Sequence, residues 1–184
     1  RSFIAMSRTS TGVSFAGTAI AHITIPRATY DTNDKIFAFH RDMAARLRAL
    51  PGVTMASGVY PLPLSGEGWS GSVGIVGMPL GPGVADPHSE YAVALPGYFR
   101  TAGIPIIEGR DFEDTDVDSA EHVAIVDADF ARQYWPGESA LGKRIAQGGD
   151  VEKGPFRTVV GVVAHTLRGG AREKGEAQLY LPIL

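Results

Sequence analysis

The period of hydrophobic positions along this chain changes several times, and each change predicts an element. From Val13 to Pro26, VSFAGTAIAHITIP alternates small apolar and polar residues and is rich in β-branched types, which predicts a strand closed by Pro26. The spacing then lengthens. Ile36, Phe39, Met43, Leu47 and Leu50 recur at three- and four-residue steps, with Arg41, Asp42, Arg46 and Arg48 mostly off that stripe. Asp31, Thr32, Asn33 and Asp34 supply candidate N-caps for this helix, and Pro51-Gly52 supplies its stop. A strand restarts in GVTMASGVY at residues 52–60, so 13–60 spells strand, helix, strand: a β-α-β unit whose two strands are expected to be parallel neighbours.

Residues 61–88 break the periodicity, because Gly and Pro crowd around one short strand candidate at Val73 to Val76. A strand at Tyr91 to Leu95 follows, then a short helix around Gly97 to Ala102 that Gly103 and Pro105 keep from lengthening. After a polar stretch come the strand HVAIV, the helix DADFARQYW stopped by Pro136-Gly137, and three further strands in GKRIAQ, FRTVVGVVAH and QLYLPI. Strands alternating with short helices and ending in a strand-rich run describe an α+β chain with two subregions.

Composition narrows the function classes. The chain has 184 residues, 44% hydrophobic and 20% charged, enough to bury a core. A formal net charge of −3 gives no basic excess to neutralise phosphates, so no nucleic-acid partner is expected. No apolar run reaches the ~18 residues of a spanning helix, and a soluble chain is expected. With no cysteine, disulfides, thiolate metal sites and thiol catalysis are excluded together.

The candidate chemistry is weak. GRDFEDTDVDSAEHVAIV, residues 109–126, carries six carboxylates, and Asp114, Asp116 and Asp118 have the one, three, five spacing of a calcium loop. Ser119 stands where that loop needs Gly and Ile125 where it needs a bidentate Glu, so the stretch reads as a solvated loop. GEGWSG at 66–71 matches G-x-G-x-x-G on paper, but prolines precede it and a strand candidate follows, which leaves turn chemistry. No complete phosphate-binding G-x-x-x-x-G-K-[ST] is present. The five histidines, His22, His40, His88, His122 and His165, stand singly on different elements. Phe130, Tyr134 and Trp135 read as core, with Trp135 plugging the helix end against the sheet. Spacing alone ends at an α+β domain without a catalytic constellation.

Whole phrases carry more. PGYFRTAGIPIIEGRDF, HVAIVDADFARQYWPGESALGKRI, RTVVGVVAHT and LYLPI, in that order, resemble the MacB-like periplasmic core domain of bacterial ABC transporter permeases, in the FtsX-like branch, and the resemblance reaches back through LRALPGVTMASGVYPLP to ITIPRATY. It implies a juxtamembrane remnant at 1–12, a porter-like β-α-β unit at 13–64 and a mixed, strand-rich sabre-like subdomain at 65–184. It also implies a non-catalytic extracytoplasmic domain without cofactor or metal, on the periplasmic side of the bacterial cytoplasmic membrane. There it would couple ATP-driven movement of membrane helices to a periplasmic partner or substrate, in efflux or mechanotransmission.

The partners implied are the membrane helices of the same permease, a separate ATPase domain or subunit, and a periplasmic adaptor protein. Mobile loops on a rigid scaffold are where such contacts lie, which singles out Trp69 and Glu67 in one loop and Asp114, Asp116 and Asp118 in another. Gly103, Pro105, Gly109, Arg110, Asp111, Pro136 and Gly137 are expected to be architectural, with Arg110 and Asp111 holding the loop they open. Asp127 departs from the Asn common in relatives, and either residue serves as an N-cap. Relatives continue past YLPI with another strand-helix-strand unit; without it, an open edge of the 13–64 sheet would invite homodimer formation. The rival from another class is a free-standing extracytoplasmic ligand-binding sensor with a pocket between the two subdomains.

Overall fold

A computed structural model describes residues 11–14, 16–78, 87–117, 120–168 and 175–183. In chain order the elements are α1 (Asn33–Arg48), β1 (Val59–Tyr60), β2 (Ser70–Ile75), β3 (His88–Ala94), α2 (Tyr98–Thr101), β4 (Ile106–Gly109), β5 (Val123–Asp127), α3 (Ala128–Tyr134), β6 (Arg144–Gln147), β7 (Phe156–Val163) and β8 (Gln178–Pro182). The chain is a sheet-rich mixture of helix and strand, the expected α+β class.

Six of the strands close into a ring. β2 pairs with β3 and β6, β7 with β6 and β5, and β8 with β5 and β3, so each of the six has a neighbour on both sides. β3–β8 and β5–β7 are parallel, and the other four pairings are antiparallel. Every strand sends apolar side chains inward: Val73 and Ile75, Tyr91, Ala124 and Val126, Ile145, Val159 and Val162, Leu179 and Leu181 form one buried cluster. Helix α3 closes that core with Phe130, Tyr134 and Trp135, so Trp135 is the plug the sequence predicted. The outward faces of β3, β5 and β8 carry a second cluster with Phe99 and Tyr98 of α2, Phe112 and Tyr180. Burial on both faces is why these strands read as near-continuous apolar runs.

A bulge explains how β7 serves both clusters. Its register with β5 steps from Ala124↔Val159 to Ile125↔Gly161, skipping Val160, so Val159 and Val162 both face inward although three residues apart. At Gly161 the chain has no room for a side chain, since a Cβ there would lie 2.3 Å from the Arg110 carbonyl. Gly161 is paired with Gly109 of β4. Two glycines facing each other let β4 and its continuation cross β7 closely.

The β-α-β expectation meets the structure unevenly. The helix forms, with Thr32 Oγ1 accepting the Lys35 N–H and the chain turning at Gly52, where φ is +81°. The strand expected at 13–26 is absent from the described part of that segment, and the one expected at 52–60 is reduced to Val59–Tyr60, paired antiparallel with β3 and not parallel with 13–26. Alternation fits a half-buried strand, but any strand also needs a neighbour to take its N–H and C=O groups. Apart from the Ser14 N–H on the Ala102 carbonyl, no strand among the described residues pairs with 13–26, and Ile20 is 54% exposed. The stripe is only partly covered: Ile36, Phe39 and Met43 are half-buried, Leu47 and, past the end of α1, Leu50 stay exposed, and the one buried residue of the helix is Ala44, off the stripe. β1 and β4, each paired with a single strand, are where the sheet has free edges.

Candidate functional site

The acidic stretch begins as β4 ends. Gly109, at φ +76°, turns the chain, and Arg110 at the turn is the single Lys or Arg among the six carboxylates of 109–126. It selects Asp116. Its Nη1 and Nη2 each donate to one oxygen of that carboxylate at 2.8 Å, and Nη1 also reaches the Asp111 carbonyl at 2.9 Å. Asp116 additionally accepts the Glu113 N–H at 2.8 Å. The Asp111 carboxylate takes the Phe112 N–H at 2.7 Å, which sets Phe112 into the second core cluster. Expected as a solvated loop, the segment is therefore anchored from within by a fork-to-fork ion pair.

Electrostatics gives this clasp an acid limit. Burial pushes the Asp116 carboxyl up, but the Arg110 hydrogen bonds, the Glu113 N–H and the guanidinium charge outweigh it, and the group ends below the ordinary carboxylate range. A depressed carboxyl contributes stability that is present above its unfolded value near pH 4 and is lost as pH falls through the folded value. Protection of the Glu113 amide, taken relative to the intrinsic exchange rate at each pH, should therefore fall below about pH 4 in the wild type. In Arg110→Ala it should be low at every pH, with a stability loss of about 2 kcal/mol from a carboxylate left 6% exposed without its partner. An Arg110→Ala protein with wild-type protection at Glu113 would show that the clasp carries nothing.

Beside the clasp lies a cleft of about 320 Å³ between the segment that follows α1 and the α2 and β4–β5 region. Arg48, Met55, Arg100, Thr101, Asp111 and Asp114 contribute to its walls. Arg48 is held there by a 3.2 Å bond from Nε to the Ala56 carbonyl. Burial raises the Asp111 carboxyl, against hydrogen bonds from Phe112 and Gly97 and the charges of Arg100 and Arg110. The cleft can hold a small group of mixed charge. Among the described residues no three His, Asp or Glu side chains assemble into a metal site.

The other expected contact loop, residues 61–69, runs from β1 into β2. Trp69 stacks on Tyr91 at 5.0 Å between ring centroids, and the Tyr91 hydroxyl donates to the Ser72 carbonyl at 2.6 Å. Arg168 fastens the loop start, donating to the Pro61 carbonyl at 2.6 Å while its own carbonyl accepts the Leu64 N–H at 2.8 Å. Glu67 is exposed, with its N–H on the Ser65 hydroxyl. Among the described residues no hydrogen bond, ion pair or ring contact joins Trp69 or Glu67 to Asp114 or Asp116, so the two loops are separate surfaces; Asp118 lies outside the described residues. Gly103 has φ +67° immediately after α2, the Pro105 carbonyl accepts from Ala164, and Pro136-Gly137 turns the chain behind the Trp135 plug.

One polar cluster was not assembled by sequence reasoning. Asp127 caps α3 as expected, its Oδ1 accepting the Phe130 N–H at 2.8 Å, but it also takes the Gln178 N–H at 3.0 Å and His165 Nδ1 at 2.5 Å. Gln178, Thr166 and Tyr180 continue the network inward. The signal available in the sequence was a lone Asp closing an otherwise apolar strand, AIVD.

The family profile described as MacB-like periplasmic core domain matches residues 2–184. No curated protein matches the chain. Among solved structures, the periplasmic region of MacB from Actinobacillus actinomycetemcomitans is similar at 20% identity, covering 78% of this chain and 55% of that one, with a TM-score of 0.47. The extracellular domain of the noncanonic ABC-type transporter YknZ from Gram-positive bacteria is similar at 19% identity, covering 79% of this chain and 63% of that one, with a TM-score of 0.49. The chain thus spans less than two thirds of either structure. Among the described residues no helix is long and apolar enough to cross a membrane.

Proposed function

The chain belongs to the family of MacB-like periplasmic core domains, which are parts of ABC transporter permeases, and from that premise we propose that it is a non-catalytic coupling element. It takes up ATP-driven movement of the membrane helices of its permease and passes it to a partner or substrate outside the cytoplasmic membrane. The observation that carries this reading is the extent of the family match, residues 2–184. The closed ring of strands supports it mechanically, because a close-packed core transmits displacement instead of absorbing it. In this reading the partners are the membrane helices, an ATPase domain or subunit and an adaptor protein. Trp69 and Glu67 on one loop, and Asp114 and Asp118 on the other, belong to the contact surface, whereas Asp116, expected there too, is buried under Arg110 and holds its loop from within.

The test uses the full-length permease with its ATPase in lipid nanodiscs, carrying one fluorophore at Glu152 in the β6–β7 loop and the other at the membrane surface on the permease. A distance distribution that shifts under ATP turnover supports coupling through the domain, and identical distributions with ATP hydrolysis intact overturn it. Contact is tested separately with Trp69→Ala combined with Glu67→Lys. Capture of the adaptor should fall while Tm stays within about 4 °C of wild type, since both side chains are on the surface.

The charged cleft beside Asp111 favours a second reading, a ligand-binding sensor, because its volume of about 320 Å³ lies at the lower end of small-molecule sites. That reading requires a small zwitterion or anion to raise Tm in a way that Arg100→Ala abolishes.

A further inference from the structure

Where β5 runs into α3, the buried carboxylate of Asp127 has every one of its bonds assigned. Asp127 is 0% exposed. One oxygen takes two backbone N–H groups, that of Phe130 in the first turn of α3 and that of Gln178 at the start of β8. The other takes His165 Nδ1, on the segment that leaves β7. One side chain therefore ties together three parts of the fold far apart in sequence, 38 residues to His165 and 51 to Gln178.

Asp127 and His165 differ in their access to water. The His165 side chain is 21% exposed and can trade protons with solvent, whereas the carboxylate it faces cannot be reached. The remaining charged groups around the imidazole are mostly negative: Asp129 of α3 stands 3.8 Å from Nδ1, and Glu90 of β3 acts on it at longer range. Arg168 is the nearby cation, with Nε 3.7 Å from Glu90. On its far side the ring lies close to Gly175, where an added Cβ would meet Nε2 at 2.1 Å, so a side chain there would displace the imidazole.

We propose that Asp127 and His165 form a proton-operated latch that fastens the start of β8 and the first turn of α3 to the end of β7, tight in acid and looser as the surrounding pH rises. The inference stands on this geometry and is independent of the transport reading. The hydrogen bond to Asp127 raises the His165 imidazole above its ordinary value, against burial, and the charges of Asp127, Asp129 and Glu90 add to it. A raised imidazole contributes stability that is complete below its unfolded value near pH 6.5 and is lost as pH rises through the folded value. Once His165 is neutral, its N–H still reaches Asp127, but the buried carboxylate has lost its countercharge and the three elements part more often.

The experiment follows the His165 ring by NMR in the 184-residue chain from pH 5 to 9, together with hydrogen exchange at the Phe130 and Gln178 amides after correction for base catalysis. In the wild type the midpoint should lie above about 6.5, and protection at both amides should fall across it by about tenfold for each pH unit of displacement. Asp127→Asn keeps a capping oxygen and should return the midpoint to about 6.5 or below; His165→Gln keeps a neutral donor and should give protection that does not change with pH. A wild-type midpoint at or below 6.5, or equal pH dependence of protection in wild type and His165→Gln, overturns the proposal. Should Asp127→Asn fail to fold, the wild-type titration and the His165→Gln comparison still decide.

Discussion

Gly109→Ala is expected to cost the protein about 3–5 kcal/mol, a large part of the roughly 5–15 kcal/mol that holds an ordinary domain folded. Two costs add. At φ +76° the residue sits where an L side chain meets its own backbone, worth about 1–2 kcal/mol. Its Cβ would also stand 2.2 Å from the Val160 carbonyl and 2.7 Å from Leu141 Cδ2. A flexible side chain can retreat, but a strand carbonyl in a paired ladder cannot, so β4 would have to lift off β7. Gly137→Ala is the matched control. Its φ of +79° is similar and nothing lies within 4 Å of the added carbon, so only the conformational cost of about 1–2 kcal/mol should appear. Urea midpoints of the two variants measure the difference directly. Equal losses would mean that β4 does not cross β7 as closely as the Gly109↔Gly161 pairing requires.

The second large effect belongs to the plug. Phe130 is fully buried at the end of the strand ring, with its ring 4.6 Å from Tyr134 and 5.6 Å from Trp135. Phe130→Ala removes the side chain around which these two aromatics pack and leaves a cavity that the ring of strands cannot close by collapsing. The expected loss is about 3–5 kcal/mol, or a fall in Tm of roughly 10 °C for a chain of this size. Phe130→Leu, which fills most of the space, should recover more than half of that loss. Thermal unfolding followed by Trp fluorescence checks both variants. A Phe130→Ala protein melting within 2 °C of wild type would place α3 outside the core.

How far the fold could be read ahead of the structure depended on how local its causes are. β5, β6, β7, β8 and α3 announce themselves because each is a short apolar run bounded by Gly or Pro, and Asp127 marks the junction of β5 and α3 with a cap. Strand β4 has no periodic signal, because IIEG between Pro105 and Arg110 is too short to show one. The strand expected at 13–26 is absent among the described residues of that segment, because alternation speaks for the segment itself and not for a neighbour to pair with. Ring closure through β3 and β8 was equally hidden, since it joins Ser89 to Ala177 across 88 residues. The sites follow the same rule. Arg110 was legible as the holder of its loop, while its choice of Asp116 over five other carboxylates is set by the turn at Gly109. The tie between Asp127 and His165 has no sequence signal at all beyond a charged residue ending an apolar strand.

The position of β8 in the ring has a consequence for synthesis. It is the strand that lies between β3 and β5, and it comes after both in the chain. A ribosome that has released residues 1–177 has therefore delivered five of the six ring strands and the plug but not the piece that joins the two ends. Until Gln178–Pro182 emerges, β3 and β5 each present an unpaired row of backbone groups and the apolar interior stands open on one side. Contacts of such long sequence separation are slow to form, because the loop entropy is spent before the pairing repays it. The nascent chain is thus obliged to fold late and all at once, and the interval before β8 arrives is when it most needs a chaperone to cover the gap.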